Sequence, residues 1–410
     1  VYIADPGEYT YFTRTADYAF LSNVSVGGVS VDTSLDENLV NTSNIFGTAA
    51  SQFLGESQGQ AIRFSDDGSL LVIGSQRYHT VTLYQRDSDG SYSLIFTFTG
   101  VSTSNFGHSV DINTSMTRIT VGAVYGTTSG AGKVFIYDKT DGSWSNTPTY
   151  TINSYNSSVK RFGCDVSLSS DGTVISISAE SGGTTPHSTY GGLFVYEFNG
   201  SSWGTPTLVT QQNVTRFGYN SVLSRDGTKA GACGTNTTAY IYHKENGTWN
   251  TTPKLEIPAV SGSEILRMSR DGNTIIMGDA GYSNNLGQVR VYTWNGTSWS
   301  LSHTLNTTAG SGIYQFGKRL AINYDGTVII GGASSYNSFQ GAFELWKKNN
   351  GTWSFIKQVI NPQSGSNQFF GSMPALDNNG SILAIDSSRN DEAFTDAGKV
   401  LIYESIKLFP

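Results

Sequence analysis

The chain has 410 residues, only 14% of them charged, with a formal net charge of -7. That balance leaves no basic footprint for nucleic acid, and no Lys/Arg cluster stands out along the sequence. Abundant Gly, Ser, Thr and Asn argue against a helical bundle, and no apolar stretch reaches the ~20 residues of a membrane helix.

The chain begins at Val1 rather than Met, which reads as a processed mature end after loss of a secretory signal. The first predicted element is the alternating stretch "EYTYFTR" (residues 8–14). Residues 15–57 follow as a polar excursion with no clear pattern, long for a connecting loop. Residues 1–57 are therefore separated from a repeating region, 58–410.

The repeat is anchored on Asp67, Ser115 (with Ser-Met in place of Asp-Gly), Asp171, Asp226, Asp271, Asp325 and Asn379, about 45–56 residues apart. Nine residues before the anchor stands Phe106, Phe162, Phe217, Phe316 or Phe370, each followed by Gly. Units one and five carry Gln58-Gly59 and Gly262-Ser263 instead. Each unit predicts four strands, a to d. Strand a alternates, as in Ile62/Phe64 and Val166/Leu168, so one face is buried. Asp-Gly supplies the positive φ of a two-residue hairpin turn. Strand b carries a small residue seven after the anchor: Gly74, Gly122, Ser178, Cys233, Gly278 or Gly332. Such residues let neighbouring sheets approach closely. Strand c ends on Tyr84, Tyr137, Tyr196, Tyr242, Tyr292, Trp346 or Tyr403, and strand d opens on Trp144, Trp203, Trp249, Trp299 or Trp353.

Four antiparallel strands every ~50 residues predict an all-β, seven-bladed β-propeller. The blades fall near 58–99, 106–152, 162–209, 217–257, 262–305, 316–360 and 370–405. The last unit lacks a Trp-led strand d. An N-terminal strand near residues 9–14 is expected to close the ring by pairing around residues 400–404, since an open edge invites aggregation.

Phe-Gly, the strand-a alternation and Gly-Ala endings such as Gly122-Ala123 and Gly332-Ala333 resemble FG-GAP repeats, over about residues 58–405. The integrin α-subunit propeller is the best-known relative, and the units are most similar to the calcium-poor branch. The resemblance implies a non-catalytic extracellular adhesion module that uses one rim for partners. The Pro of the family motif and its calcium loop are both absent; "LDNNGS" (376–381) is the nearest remnant, with too few carboxylates for a tight site.

Five His (His79, His108, His187, His243, His303) show no zinc spacing, and no nucleophile elbow or phosphate loop is present. "SSDGT" departs from the Asp-box of sialidase-type propellers. The repeated Trp reads as core rather than as a sugar-stacking platform. Asp391, Glu392 and Asp396 read as a solvated b–c loop. No catalytic residue, metal site or cofactor is assigned. Cys164 and Cys233 lie at similar height in adjacent blades, so a disulfide and a pair of buried thiols both remain open. Sequons occur at Asn23, Asn41, Asn113, Asn156, Asn199, Asn213, Asn236, Asn246, Asn250, Asn295, Asn306, Asn350 and Asn379. Those at Asn-Gly turns also have a backbone reason to be Asn.

The function expected is a non-enzymatic, N-glycosylated extracellular propeller, secreted or on the cell surface, acting as a structural or adhesive assembly module such as a coat or filament subunit. The alternative is a soluble lectin-like or receptor-type ectodomain. The expected partners are a second copy of the chain or another extracellular protein, besides covalent N-glycans, with no nucleic acid and no membrane segment.

Overall fold

The computed structural model describes residues 12–13, 18–19, 39–48, 52, 54–55 and 60–405, the last range apart from 103, 126–129, 156–158, 181–190, 213–216, 235–237, 260–261, 263–264, 308–313, 364–367 and 393–394. Seven antiparallel sheets form the blades of a propeller. Blade one pairs Ile62–Phe64, Leu70–Ser75, Thr80–Arg86 and Tyr92–Thr99 in chain order. Blades two to six repeat that order. In blade four the outer strand is broken into Thr248–Trp249 and Leu255–Ile257, both paired with Ala239–Glu245.

The core lies between blades. Phe106, Phe162, Phe217, Phe316 and Phe370 are all fully buried, and Phe162 packs with Val134 and Ile136 of the preceding blade. The strand-c aromatics are buried too. Trp203, Trp249 and Trp353 are largely buried, and Trp249 donates to the Glu197 carboxylate of blade three at 3.0 Å. The repeated Trp is therefore packing, not a sugar platform.

The a–b turn differs from the expected two-residue form. In blade one Gly68 takes φ 73°, while Asp67 has no positive φ. Asp67 instead accepts from the Ser65 hydroxyl (2.7 Å) and the Ser69 amide (3.0 Å), tying the turn from its outer side. Blade two has no Gly there, and Met116 takes the left-handed position at φ 56°.

Phe-Gly and the small strand-b residue meet across the blade boundary. A Cβ on Gly278 would lie 1.8 Å from the carbonyl oxygen of Gly317, the Gly of the next blade's Phe-Gly. That oxygen is backbone and cannot swing away. Gly278→Ala is thus expected to destabilise by about 3 kcal/mol, as overpacking does. Denaturant unfolding checks this against Gly204→Ala, where nothing lies within 4 Å. Equal midpoints for both variants would contradict it.

The ring is closed by an N-terminal strand, but not by the expected one. Leu39–Phe46 pairs antiparallel with Lys399–Ser405, from Leu39 opposite Ser405 to Phe46 opposite Lys399. Phe12–Thr13 pairs with Tyr18–Ala19 instead, and residues 9–11 and 14 lie outside the described residues. The physical reason is burial. Ile45 joins Val400, Ile402 and Ile62 in one cluster, and Leu39 joins Leu401 and Tyr403 in another, so both blade faces are covered. The expected boundary at residue 57 therefore falls inside the ring. Leu54 donates to the Ala397 carbonyl (3.0 Å), and Ser75 donates to that of Gln52 (2.9 Å). Arg86 of blade one then clamps Glu404 of blade seven at 2.7 Å.

Candidate functional site

The axial channel has two unlike ends. At the turn end, residues at or just before the anchors link the blades by hydrogen bonds, nearly all of them between backbone groups. Thr114 donates to Ser170, Ser170 to Arg225, and Arg225 to Arg270. Farther round, Asp271 donates to Tyr324, Tyr324 to Asn378, and Asn378 to Asp66. The step from blade one to blade two is made by the Thr114 hydroxyl on the Asp66 carboxylate.

Behind these links, the residue between the two apolar positions of strand a faces the axis. It is Arg63, Asp111, Ser167 and Arg267 in blades one, two, three and five, and Val222, Ala321 and Ala375 in four, six and seven. The polar members cross the channel. Arg225 reaches Asp66 at 2.6 Å and Asp111 at 3.9 Å, and the Leu168 amide donates to Asp111 at 2.8 Å. Arg63 lies 3.7 Å from Asp111. Asp165, fully buried, faces Arg267 at 3.7 Å and takes the side-chain amide of Asn220. A cavity of only about 40 Å³ remains, room for a few waters. Burial opposes ionisation of Asp111, but Arg63, Arg225 and Arg270 outweigh it and hold its carboxyl below the usual range. Burial likewise opposes Asp66, and Arg270 and Arg225 win again. For Asp165 burial wins over Arg267 and Arg63, and its carboxyl is raised.

At the loop end the channel opens into a basin of about 410 Å³. Arg77 enters from the b–c loop of blade one, Arg161 from ahead of strand a in blade three, Lys318 from just ahead of strand a in blade six and Arg319 from its start. Tyr125 and Phe369 form aromatic wall. Arg161 stands 6.0 Å from the Tyr125 ring and pairs with Glu180. Lys318 donates to Gln315 (2.9 Å) and Ser335 (3.2 Å), and Arg319 to the Lys318 carbonyl (3.1 Å). Buried His108 lies with its Nδ1 3.0 Å from the Cys164 carbonyl; burial, then Arg161, draws its pKa down to about 3, so it is neutral.

Beside the basin, residues 337–339 run left-handed at φ 46°, 58° and 66°. This strained turn is held by the next blade, whose Phe369 amide donates to the Phe339 carbonyl at 2.8 Å. The Phe339 side chain is 40% exposed, with its ring 4.9 Å from Phe369 and Arg389 over the latter at 4.7 Å.

The sites read from sequence divide. Cys164 and Cys233 are both buried and no disulfide joins them, which corrects the disulfide alternative. Cys233 packs with Leu266 and Met277 at the boundary of blades four and five, so the sheet of blade four separates it from Cys164. Burial pushes the Cys164 thiol up to about 12.

Among the sequons, Asn113 is buried: its side-chain amide donates to Ser115 and Thr117, and its oxygen accepts the Thr117 and Arg118 amides. Asn41 sits in the closing strand and donates to the Ser43 (3.2 Å) and Ile402 (3.0 Å) carbonyls. Both amides serve the fold, so the folded ring does not present these two to a glycan. Asn199, Asn246, Asn295, Asn306, Asn350 and Asn379 are exposed, and Asn250 is half-buried. Asn23, Asn156, Asn213 and Asn236 lie outside the described residues, as does His187.

Asp377 of "LDNNGS" accepts the Ser381 (2.8 Å) and Ile382 (3.0 Å) amides and so acts as a turn staple. Glu392 bonds Lys399 at 2.8 Å, and Asp391 accepts the Asp396 amide at 2.6 Å. Among the described residues no group of three or more His, Cys, Asp or Glu is arranged to hold a metal ion. None of the described helices is long and apolar enough to cross a membrane.

Comparison with known proteins reaches the fold and stops there. No family model matches the chain, and no curated protein matches it in sequence. Among solved structures, the Cps50 (Swd1) β-propeller domain of Myceliophteria thermophila is similar, with a TM-score of 0.58 and 12% identity over 89% of this chain and 99% of that one. A chain of the mitotic checkpoint complex is similar with a TM-score of 0.61 and 13% identity, over 94% of this chain and 97% of that one. At such identities the likeness is one of fold: this chain is a β-propeller.

Proposed function

We propose that this chain is a non-enzymatic, N-glycosylated extracellular propeller of the FG-GAP type that works as a structural or adhesive assembly module. The loop face of blades six, seven and one is its contact surface. The observation that carries this reading is Phe339: an apolar ring displayed on a strained turn that neighbouring backbone holds rigid, with Phe369 and Arg389 beside it. Tyr78, on the b–c loop of blade one, is 43% exposed and lies in the same sector. Rigid aromatic and Arg side chains are the groups that anchor protein interfaces. The exposed c–d sequons Asn199, Asn246, Asn295 and Asn350 lie on the opposite face, and Asn306 lies on the loop side of blade five, so glycans there would leave the loop face of blades six, seven and one clear. The partner is a second copy or another extracellular protein, over roughly 1,000 Å² or more. The ring closure takes residues 39–46 out of the polar excursion.

Two measurements test this on native material. Glycosidase treatment is expected to lower the mass by several kilodaltons, with Asn-to-Asp conversion at the exposed sequons. Light scattering and negative-stain microscopy are expected to show assemblies that the double variant Tyr78→Asp, Phe339→Asp weakens by about 100-fold. Unglycosylated native protein, or assemblies that the variant leaves intact, would contradict the respective half of the proposal.

A further inference from the structure

The two ends of the channel differ in charge. At the turn end Asp66 and Asp111 face Arg63, Arg225 and Arg270 at close range. At the loop end, Arg77, Arg161, Lys318 and Arg319 converge on one basin; buried Glu180, outside the described lining, pairs with Arg161, and the described lining itself contains neither Asp nor Glu. This concentration of positive charge stands in a chain whose net charge is -7, so overall composition does not account for it. The four cations come from blades one, three and six, which brings them together only when the ring is closed.

From this geometry we infer that the basin is a binding site for a small polyanion, one carrying two or more carboxylate, sulfate or phosphate groups. Four properties support the assignment. The volume of about 410 Å³ lies within the range of small-molecule sites. Low-dielectric walls lined by one sign of charge focus the field on counter-ions. Arg forks match planar oxyanions in pairs, and Lys adds a point charge. Three of the four cations are also positioned before a ligand arrives. Lys318 is braced by Gln315 and Ser335, Arg319 by the Lys318 carbonyl and the Tyr219 hydroxyl, and Arg161 by Glu180 and the Tyr125 ring. A pre-organised site spends less on ordering side chains when it binds. This inference goes beyond the assembly reading and does not depend on it.

The test is calorimetry on the monomeric protein at low salt, with citrate, inorganic phosphate and an acidic hexapeptide as probes and glucose as neutral control. Saturable citrate or phosphate binding is expected, weakening steeply with ionic strength. Arg77→Met and Lys318→Met are each expected to lower affinity about tenfold or more. Lys244→Met, which breaks a rim ion pair with Glu197, should leave it unchanged. Tighter binding of the peptide than of citrate would assign the anionic groups to a protein partner; the reverse order would assign them to a free small molecule. Each variant is checked for an unchanged thermal midpoint, and Arg77 on its surface loop provides the readout should Lys318→Met unfold. Absence of saturable binding by all three anions up to about 10 mM, or binding that neither variant weakens, would overturn the inference.

Discussion

Asp111→Ala is expected to cost about 3–5 kcal/mol of folding stability, the usual loss when one partner of a buried ion pair is removed. The carboxylate is 2% exposed and faces Arg63 and Arg225, the latter 4% exposed. Its removal leaves that positive charge in the channel with less compensation and orphans the Leu168 amide. Asp111→Asn keeps the shape and an acceptor, so it separates charge from packing. The same residues set the acid limit of the fold. Asp66 and Asp111 have folded pKa values below their unfolded ones. The stability they contribute is therefore fully present above the unfolded value of ~3.9 and is lost as pH falls through the folded values. Asp165 runs the other way, since burial raises its carboxyl and protonation relieves it. Denaturant unfolding from pH 6 downward should show a loss of stability below about pH 4 that is shallower in Asp111→Asn. Identical slopes would remove Asp111 from the acid-sensitive set.

Truncation is expected to be more severe. A chain that starts at residue 39 should keep the ring closed, whereas one that starts at residue 48 should not. The second form loses the burial of Leu39 and Ile45, about 3–6 kcal/mol from these two side chains alone. It also exposes the hydrogen-bonding edge of Lys399–Ser405 to solvent and to other chains. Size-exclusion chromatography and thermal unfolding of the two truncations decide the point. Equal midpoints and elution volumes would show that Leu39–Phe46 does not close the ring.

Much of the fold was legible because a blade repeats its geometry. Phe162 and Phe316 meet the same boundary in different blades, and Gly278 and Gly332 face the same oxygen of the next Phe-Gly, so equal environments demanded equal residues. The closing strand was harder to see. An outer strand is only half covered, and "LVNTSNIF" buries just Leu39 and Ile45, so its pattern is weaker than that of the aromatic-rich "EYTYFTR". Spacing held the missing signal. Each strand d ends shortly before the next Phe-Gly, as Thr99 precedes Phe106 and Ile360 precedes Phe370. Phe46 stands comparably close to Gln58-Gly59; Arg14 does not. The channel was missed for another reason. The residue between the apolar pair of strand a has no common chemistry, since Arg63, Asp111 and Arg267 share that position with Ser167, Val222, Ala321 and Ala375. The basin could not be read at all, since its cations are scattered along the sequence and meet only through closure of the ring.

That closure also sets a timetable for the chain. The side chain of Asn41 finds the Ile402 carbonyl at a sequence separation of 361, so the blade strand made first must wait for the one made last. On a ribosome delivering ~5–20 residues each second, that interval is of order half a minute. Blades two to six can pair within themselves as they emerge, while Leu39–Phe46 remains a strand without its sheet. Its mixed polar sequence suits that wait, since a more apolar strand held open would recruit other nascent chains.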